Sequence, residues 1–159
     1  MKPIECFIHH HLGLGDHIIC NGIVRYVVKN YDFNNVALVV KSSNLNNVRR
    51  MFSDLSQISF FIVEEDREFV EEYNSNLKSI PLVRVGFERC RNHEFDRSFY
   101  DSVSVPFKER WDSWHLERNT EQEQKLINEL ALDEEYIFVH DKSSVGDYNL
   151  NIESSLRQV

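Results

Sequence analysis

The sequence has few cysteines, glycines and prolines, and it has no long hydrophobic run. Its 159 residues include three cysteines, five glycines and three prolines. Cys6, Cys20 and Cys90 form no C-x-x-C pair and are odd in number, so we interpret them as reduced thiols of a cytoplasmic protein. No apolar run approaches the ~20 residues that span a bilayer, and the N-terminus lacks a signal-peptide hydrophobic region, so no membrane span is expected.

Positive charge is also scarce, because 18 lysines and arginines face 26 aspartates and glutamates, for a net charge of −8. Such a surface repels phosphate backbones, so we expect no nucleic-acid partner. Hydrophobic residues make up 42% of the chain and charged residues 28%, which is the balance of a globular domain. The length fits one ordinary domain, or one domain and part of a second.

Short apolar runs alternate with helical patterns through the first half of the chain. The predicted strands are residues 4–9, 36–40, 58–63 and 80–85, and the predicted helices are residues 18–28, 44–55 and 66–73. The uninterrupted apolar run at 36–40 is typical of a strand covered on both faces. Right-handed crossovers then predict an α/β fold, a parallel Rossmann-like sheet of four to six strands in the order 3-2-1-4 with helices on both faces.

The second half of the chain has weaker periodicity. Residues 86–118 are rich in aromatic and charged side chains and predict loops and short helices at one end of the sheet, with Trp111 and Trp114 packed in the core or in a buried interface. Thr120 and Glu123 have capping-box spacing, which predicts a helix over 121–131. An apolar run at 136–139 predicts a strand. We therefore expect one domain over 1–118, and a linking helix with the first strand of a truncated second domain over 119–159.

The loop after the first predicted strand has the densest group of chemically active side chains. Residues 9–17 read His-His-His-Leu-Gly-Leu-Gly-Asp-His. Gly13 and Gly15 allow a tight turn and a close approach by a ligand. Ligands of open α/β sheets bind at the carboxyl ends of strands, so we expect the functional edge at residues 11–17.

This loop departs from a dinucleotide-binding pattern. The third glycine position of G-x-G-x-x-G is Ile18, and the charge of Asp16 would oppose a pyrophosphate. The second strand ends near Lys41 without a carboxylate for a ribose hydroxyl. Because Lys41 suits a 2′-phosphate, a Rossmann-like nucleotide- or NADP-binding module remains an alternative function.

Asp16 has two competing interpretations. As the N-cap residue of the first helix it would accept backbone N–H bonds, which stabilises a helix by about 1 kcal/mol. As a carboxylate held at the mouth of a cleft it would act as general base toward a substrate hydroxyl. Both interpretations hold if one oxygen caps the helix and the other faces the cleft.

Residues 13–22, Gly-Leu-Gly-Asp-His-Ile-Ile-Cys-Asn-Gly, resemble the G-x-G-D loop and first helix of GT-B glycosyltransferases, particularly the heptosyltransferase-like group. The resemblance implies an inverting, metal-independent transferase in which Asp16 deprotonates an acceptor hydroxyl. It implies a sugar or glycan acceptor, a nucleotide-sugar donor and no bound cofactor. The residues it places around the acceptor are His11, Gly13, Gly15, His17, Asn21 and Arg25.

The same resemblance implies a donor-binding domain of ~150 residues. Only about twenty residues follow the strand predicted at 136–139, so we expect an incomplete chain without transferase turnover. A domain without its partner exposes an apolar face, and such faces drive association. A non-catalytic, self-associating fragment is therefore a further alternative, and a homo-oligomer is expected.

Two side-chain groups have simpler interpretations. Three consecutive histidines cannot converge on one ion, because neighbouring residues of a strand point to opposite faces, and no known metal-site spacing is present, so no metal is predicted. Asn21 and Arg25 lie four residues apart and are expected to pair with each other at the surface, or to point at a bound anion.

Overall fold

The computed structural model describes residues 2–87 and 94–131, together with two short strands further along the chain. The chain divides into two units, Met1–Arg118 and Asn119–Val159. The residues predicted as a strand at 136–139 lie outside the described part.

Four parallel strands form the sheet of the first unit. They are β1 (Cys6–His9), β2 (Val36–Lys41), β3 (Ile58–Val63) and β4 (Leu82–Arg84), in the order β3-β2-β1-β4. β1 is central, because it pairs in parallel with both β2 and β4. The predicted parallel α/β fold and its strand order are confirmed.

Helices cover both faces of this sheet, as predicted. The helices of the first unit are α1 (Leu14–Ile19), α2 (Asn21–Asn30), α3 (Leu45–Met51), α4 (Asp66–Glu72), α5 (Phe95–Ser102) and α6 (Glu109–Asp112). Successive side chains of a strand point to opposite faces. Ile8 accordingly packs with Ile23 and Val24 of α2, whereas Phe7 packs with Phe69 of α4. β1 and the adjacent strand β2 are therefore buried on both faces.

The prediction of a single helix over 18–28 is wrong, because the helix is broken at Cys20, where α1 ends and α2 begins. Side-chain donors insert at this break: the Tyr100 hydroxyl donates to the Ile19 carbonyl at 2.8 Å and Trp114 Nε1 donates to the Ile18 carbonyl at 3.2 Å. Groups that bond helix carbonyls from outside are a known cause of kinks.

Gly22 allows α6 to lie directly against α2. A Cβ atom at this position would stand 2.3 Å from the Glu109 carbonyl oxygen. The segment after α5 is therefore packed on the first helices, yet its two tryptophans are not core residues, which contradicts the first of the two predicted locations. Trp111 is 69% exposed and Trp114 39% exposed.

The second unit begins with α7 (Thr120–Glu129), which is capped by Asn119, whose side chain accepts a hydrogen bond from the Gln122 amide at 3.0 Å. The capping box predicted on Thr120 is therefore wrong by one residue. Further along, β5 (Lys142–Ser143) and β6 (Gly146–Asp147) pair in antiparallel orientation. Within the described residues, no helix has the length and apolar character needed to cross a membrane.

Candidate functional site

The carboxyl ends of β1 and β4 mark the point where the sheet changes direction. From β1 the chain crosses to β2 and then β3 on one side, whereas β4 lies on the other side of β1. A crevice opens at such a switch point in open α/β sheets, and ligands bind there. The loop between β1 and α1 and the residues that follow β4 both lie at this edge.

The three consecutive histidines point into three different surroundings. His9 Nε2 lies 2.6 Å from Asp66 Oδ1 of α4, on one face of the sheet. His10 packs edge-to-face against His17, with ring centroids 4.3 Å apart. His11 Nε2 lies 3.0 Å from the Gly86 carbonyl oxygen. No group of three or more histidine, cysteine, aspartate or glutamate side chains in the described part of the chain is placed to hold a metal ion.

His10 and His17 form a completely buried pair of imidazoles. His10 Nδ1 donates to the His11 carbonyl at 2.5 Å, which leaves Nε2 as the unprotonated nitrogen. Neither that nitrogen nor either nitrogen of His17 has a hydrogen-bond partner among the described residues. Burial lowers the pKa of His10 to about 4 and the pKa of His17 to about 2. His17, which was expected to line the acceptor site, is therefore a neutral interior residue.

Asp16 lies in the first turn of α1, and the N-cap residue of that helix is Gly13. The prediction of Asp16 as N-cap is therefore wrong. Its carboxylate folds back over the helix start, since a Cβ atom on Gly13 would stand 2.6 Å from Asp16 Oδ2. Partial burial raises the pKa of Asp16, against the opposing effects of His11 and of the Gly13 and Asp16 backbone amides. The result is a half-buried carboxylate that is a stronger base than a solvated one.

The two glycines of the loop serve different purposes. At Gly13 a Cβ atom would enter the space that the Asp16 carboxylate occupies, so a side chain there would displace this carboxylate. Gly15 is exposed within α1, and nothing lies within 4 Å of its Cβ position. The surface beside Asp16 is therefore open to an incoming molecule at Gly15, although the fold itself does not require glycine there.

His11 is held in one orientation by its neighbours. The Gly86 carbonyl can only accept, so His11 Nε2 donates this hydrogen bond. The ring lies 4.5 Å from the Phe87 ring and 5.8 Å from the Phe99 ring, centroid to centroid. Gly86 has φ +82°, and a Cβ atom there would lie 2.5 Å from Phe99. The sequence analysis did not predict a role for Gly86 or Phe87 in this site. A glycine directly after the fourth predicted strand was the feature that could have indicated them.

Asn21 and Arg25 pair with each other as expected, but in the interior and not at the surface. Arg25 Nε donates to Asn21 Oδ1 at 3.0 Å, and its two terminal nitrogens hold Asp54 at 2.7 and 2.9 Å. The Asn21 carboxamide exchanges two 3.1 Å hydrogen bonds with the backbone of His115. These two residues therefore bind the segment around His115 to α2, and their polar groups hydrogen-bond to partners inside the domain.

The end of β2 does not favour a 2′-phosphate. Lys41 Nζ lies 3.4 Å from Glu65 Oε2, and the Ser42 hydroxyl donates to Glu64 Oε2 at 2.7 Å. Two carboxylates beside the lysine oppose an incoming dianion. The NADP alternative therefore gains no support from this position.

Comparison of the chain with protein-family models, with curated proteins and with solved structures finds no match.

Proposed function

We propose that the Met1–Arg118 unit binds the acceptor of a glycosyl transfer reaction at the loop between β1 and α1, with Asp16 as general base. The observation that carries this proposal is the half-buried carboxylate of Asp16 at the carboxyl end of the central strand, with its raised pKa. The G-x-G-D resemblance of residues 13–16 supports the same role.

In this reaction the unit positions the acceptor hydroxyl and accepts one proton from it. The acceptor hydroxyl attacks the anomeric carbon of a nucleotide-sugar as its O–H proton passes to Asp16, and the bond from that carbon to the leaving phosphate oxygen breaks. Proton transfer requires the hydroxyl within ~3 Å of the carboxylate. The open surface at Gly15 gives the acceptor hydroxyl access to this carboxylate.

Nuclear magnetic resonance tests acceptor binding directly. A ¹⁵N-labelled chain is titrated with a panel of monosaccharides and short glycans, and we expect one class to shift the amides of Gly13, Gly15 and Asp16. Asp16→Asn keeps the shape and removes the charge, so it should weaken binding about tenfold, because a hydrogen bond to a charged group contributes about 1.5 kcal/mol or more. The matched control is Asp32→Asn, an exposed position that should bind as the wild type.

Two results count against this function. One is a panel in which no sugar perturbs the loop, and the other is an Asp16→Asn variant with unchanged affinity. Thermal stabilisation by NADP alone, without any sugar effect, would instead favour the nucleotide-binding alternative.

The remaining expectations form part of the same proposal. Cys6 and Cys20 are free and buried thiols, which supports a cytoplasmic location. Exposed apolar side chains, with Trp111 the most exposed, support a homo-oligomer. Light scattering that finds a monodisperse monomer would contradict the oligomer.

A further inference from the structure

β3 is an edge strand that lacks the features by which edge strands usually avoid pairing. In the described part of the chain its only partner is β2, over an uninterrupted register of residues 58–63. The strand reads Ile-Ser-Phe-Phe-Ile-Val, without a charge or a proline, and the register has no bulge. Charges, prolines and bulges are the common means of protecting an edge. This edge is therefore suited to pairing with another strand.

The backbone groups of Phe60 and Ile62 point out of the sheet. The Val36 amide of β2 donates to the Gln57 carbonyl at 2.8 Å, so residue 57 faces β2. Backbone groups alternate in direction along a strand, so every second residue from 57 faces β2, and Phe60 and Ile62 face outward. Among the described residues, no group hydrogen-bonds to the N–H or C=O of either one.

Apolar side chains reach this edge on both faces of the sheet. Phe60 packs on the face covered by α2 and α3, and Phe61 packs against Phe69 of α4 on the opposite face, with ring centroids 5.4 Å apart. Both phenylalanines of β3 are only partly buried, and Ile62 is 50% exposed. A strand added beside β3 would therefore cover apolar surface on each face as well as the free backbone groups.

The charges around β3 favour one orientation of an added copy. Glu64 and Glu65 follow the strand, whereas the Arg49 guanidinium of α3 lies 6.0 Å from the centroid of the Phe60 ring. Parallel pairing of two copies would bring the glutamates of one beside those of the other. Antiparallel pairing instead places them near the first half of the other β3, on which Arg49 lies, so opposite charges become neighbours.

We propose that β3 pairs with β3 of a second copy of the chain in antiparallel orientation, which makes one continuous sheet through a homodimer. A two-fold axis normal to the sheet relates the copies, so each contributes the same surface and the assembly closes at two. The inference assigns an interface to the homo-oligomer proposed above, and it does not depend on glycosyl transfer.

One register fits the free backbone groups. Directly opposed side chains lie on the same face, so Phe60 can oppose Phe60 or Ile62 of the second copy, but not Phe61. Phe60 against Ile62 uses every outward N–H and C=O group of both residues. Phe60 against Phe60 would need the Ile58 amide, which already donates to the Leu55 carbonyl at 3.1 Å. In the first register Phe61 lies on the two-fold axis, opposite Phe61 of the second copy.

Sedimentation velocity of the full chain over a range of concentrations tests the interface. We expect a monomer–dimer equilibrium whose Kd rises at least tenfold in Ile62→Lys, because lysine on an edge strand opposes pairing. The matched control is Trp111→Lys, which changes the net charge equally at a more exposed apolar side chain and should keep the Kd within threefold. Circular dichroism checks that both variants are folded.

Nuclear magnetic resonance tests the register. In a mixture of ¹³C-labelled and unlabelled copies, an isotope-filtered spectrum should show the Hα of Phe61 close to the Hα of Phe61 in the other copy, as in a non-hydrogen-bonded antiparallel pair. Hydrogen exchange of the Phe60 and Ile62 amides should slow as the protein concentration rises. The Ile58 amide is the internal control, because its partner lies within the same copy.

Three results would overturn the inference. They are a wild-type chain that stays monomeric, an Ile62→Lys variant that dimerises as tightly as the wild type, and a dimer in which the Phe61 protons of the two copies are not in contact. The first result also contradicts the homo-oligomer. A dimer that is weakened by Trp111→Lys and not by Ile62→Lys keeps the homo-oligomer and places its interface away from β3.

Discussion

The buried pair of His10 and His17 should make the fold sensitive to mild acid. Both side chains have an ordinary pKa of 6.5, and burial lowers these values to about 4 and about 2 in the fold. The unfolded chain therefore binds more protons than the folded chain below pH 6.5, so stability is complete near pH 7 and is lost as the pH falls. For each pH unit below 6.5, each histidine lowers the free energy of unfolding by about 1.4 kcal/mol. At pH 5 the loss is therefore about 2 kcal/mol for one histidine and about 4 kcal/mol for the pair.

This loss is a substantial fraction of the stability of a typical domain, which is about 5–15 kcal/mol. Two other groups, His9 and Asp16, change the size of this loss of stability but not its direction. Burial also lowers the pKa of His9, which acts in the same direction, while the raised pKa of Asp16 acts in the opposite direction. The net expectation is a domain that unfolds in clearly less urea at pH 5 than at pH 7.

Urea unfolding at pH 7, 6 and 5 and constant ionic strength, followed by circular dichroism, measures this loss. His17→Leu removes one of the two sites, so the difference between pH 7 and pH 5 should shrink to about 2 kcal/mol. The matched control, His115→Gln, changes an exposed side chain and should keep the full difference. An equal loss in wild type and His17→Leu, or no loss between pH 7 and pH 5, would refute the reasoning.

Two further predictions concern stability at neutral pH. Arg25→Met leaves Asp54 and three other acceptors without their donor, so urea unfolding should show a free energy of unfolding about 3 kcal/mol lower than that of the wild type. Arg67→Met, at an exposed i,i+4 pair, should lower the free energy of unfolding by less than about 0.5 kcal/mol. Equal losses would show that the buried network adds nothing. Gly86→Ala forces a side chain into φ +82° and into Phe99 and should cost more than about 2 kcal/mol. Gly15→Ala, in a helix with open space, should instead raise thermal stability by about 0.5–1 kcal/mol, and a loss there would contradict the open surface beside Asp16.

The sheet could be predicted from the sequence because its signals are local and agree with one another. The run at residues 36–40 is apolar on both faces, and each strand is followed by a helical pattern. Right-handed crossovers then leave few possible strand orders. The position of Asp16 at the carboxyl end of the central strand follows from the same reasoning, because it depends only on the order of elements.

The rest depended on contacts between residues far apart in the chain. The break at Cys20 involves donors from Tyr100 and Trp114, which lie 81 and 96 residues from the carbonyls that they bond. The interior location of Arg25 depends on Asp54 and on the backbone of His115, which no periodicity reveals. Spacing on one helix predicted that Asn21 and Arg25 would meet, but it could not show which elements would cover them.

The break at Cys20 leaves α1 as a separate helix of six residues between the loop after β1 and α2. α2 is anchored by its own buried side chains and by the Arg25 network, whereas α1 is held by its buried His17 and by hydrogen bonds to its last two carbonyls. The helix that carries Asp16 in its first turn is bonded at its last two residues by Tyr100 and Trp114. Substitutions of those two side chains are therefore expected to alter the position of the Asp16 carboxylate.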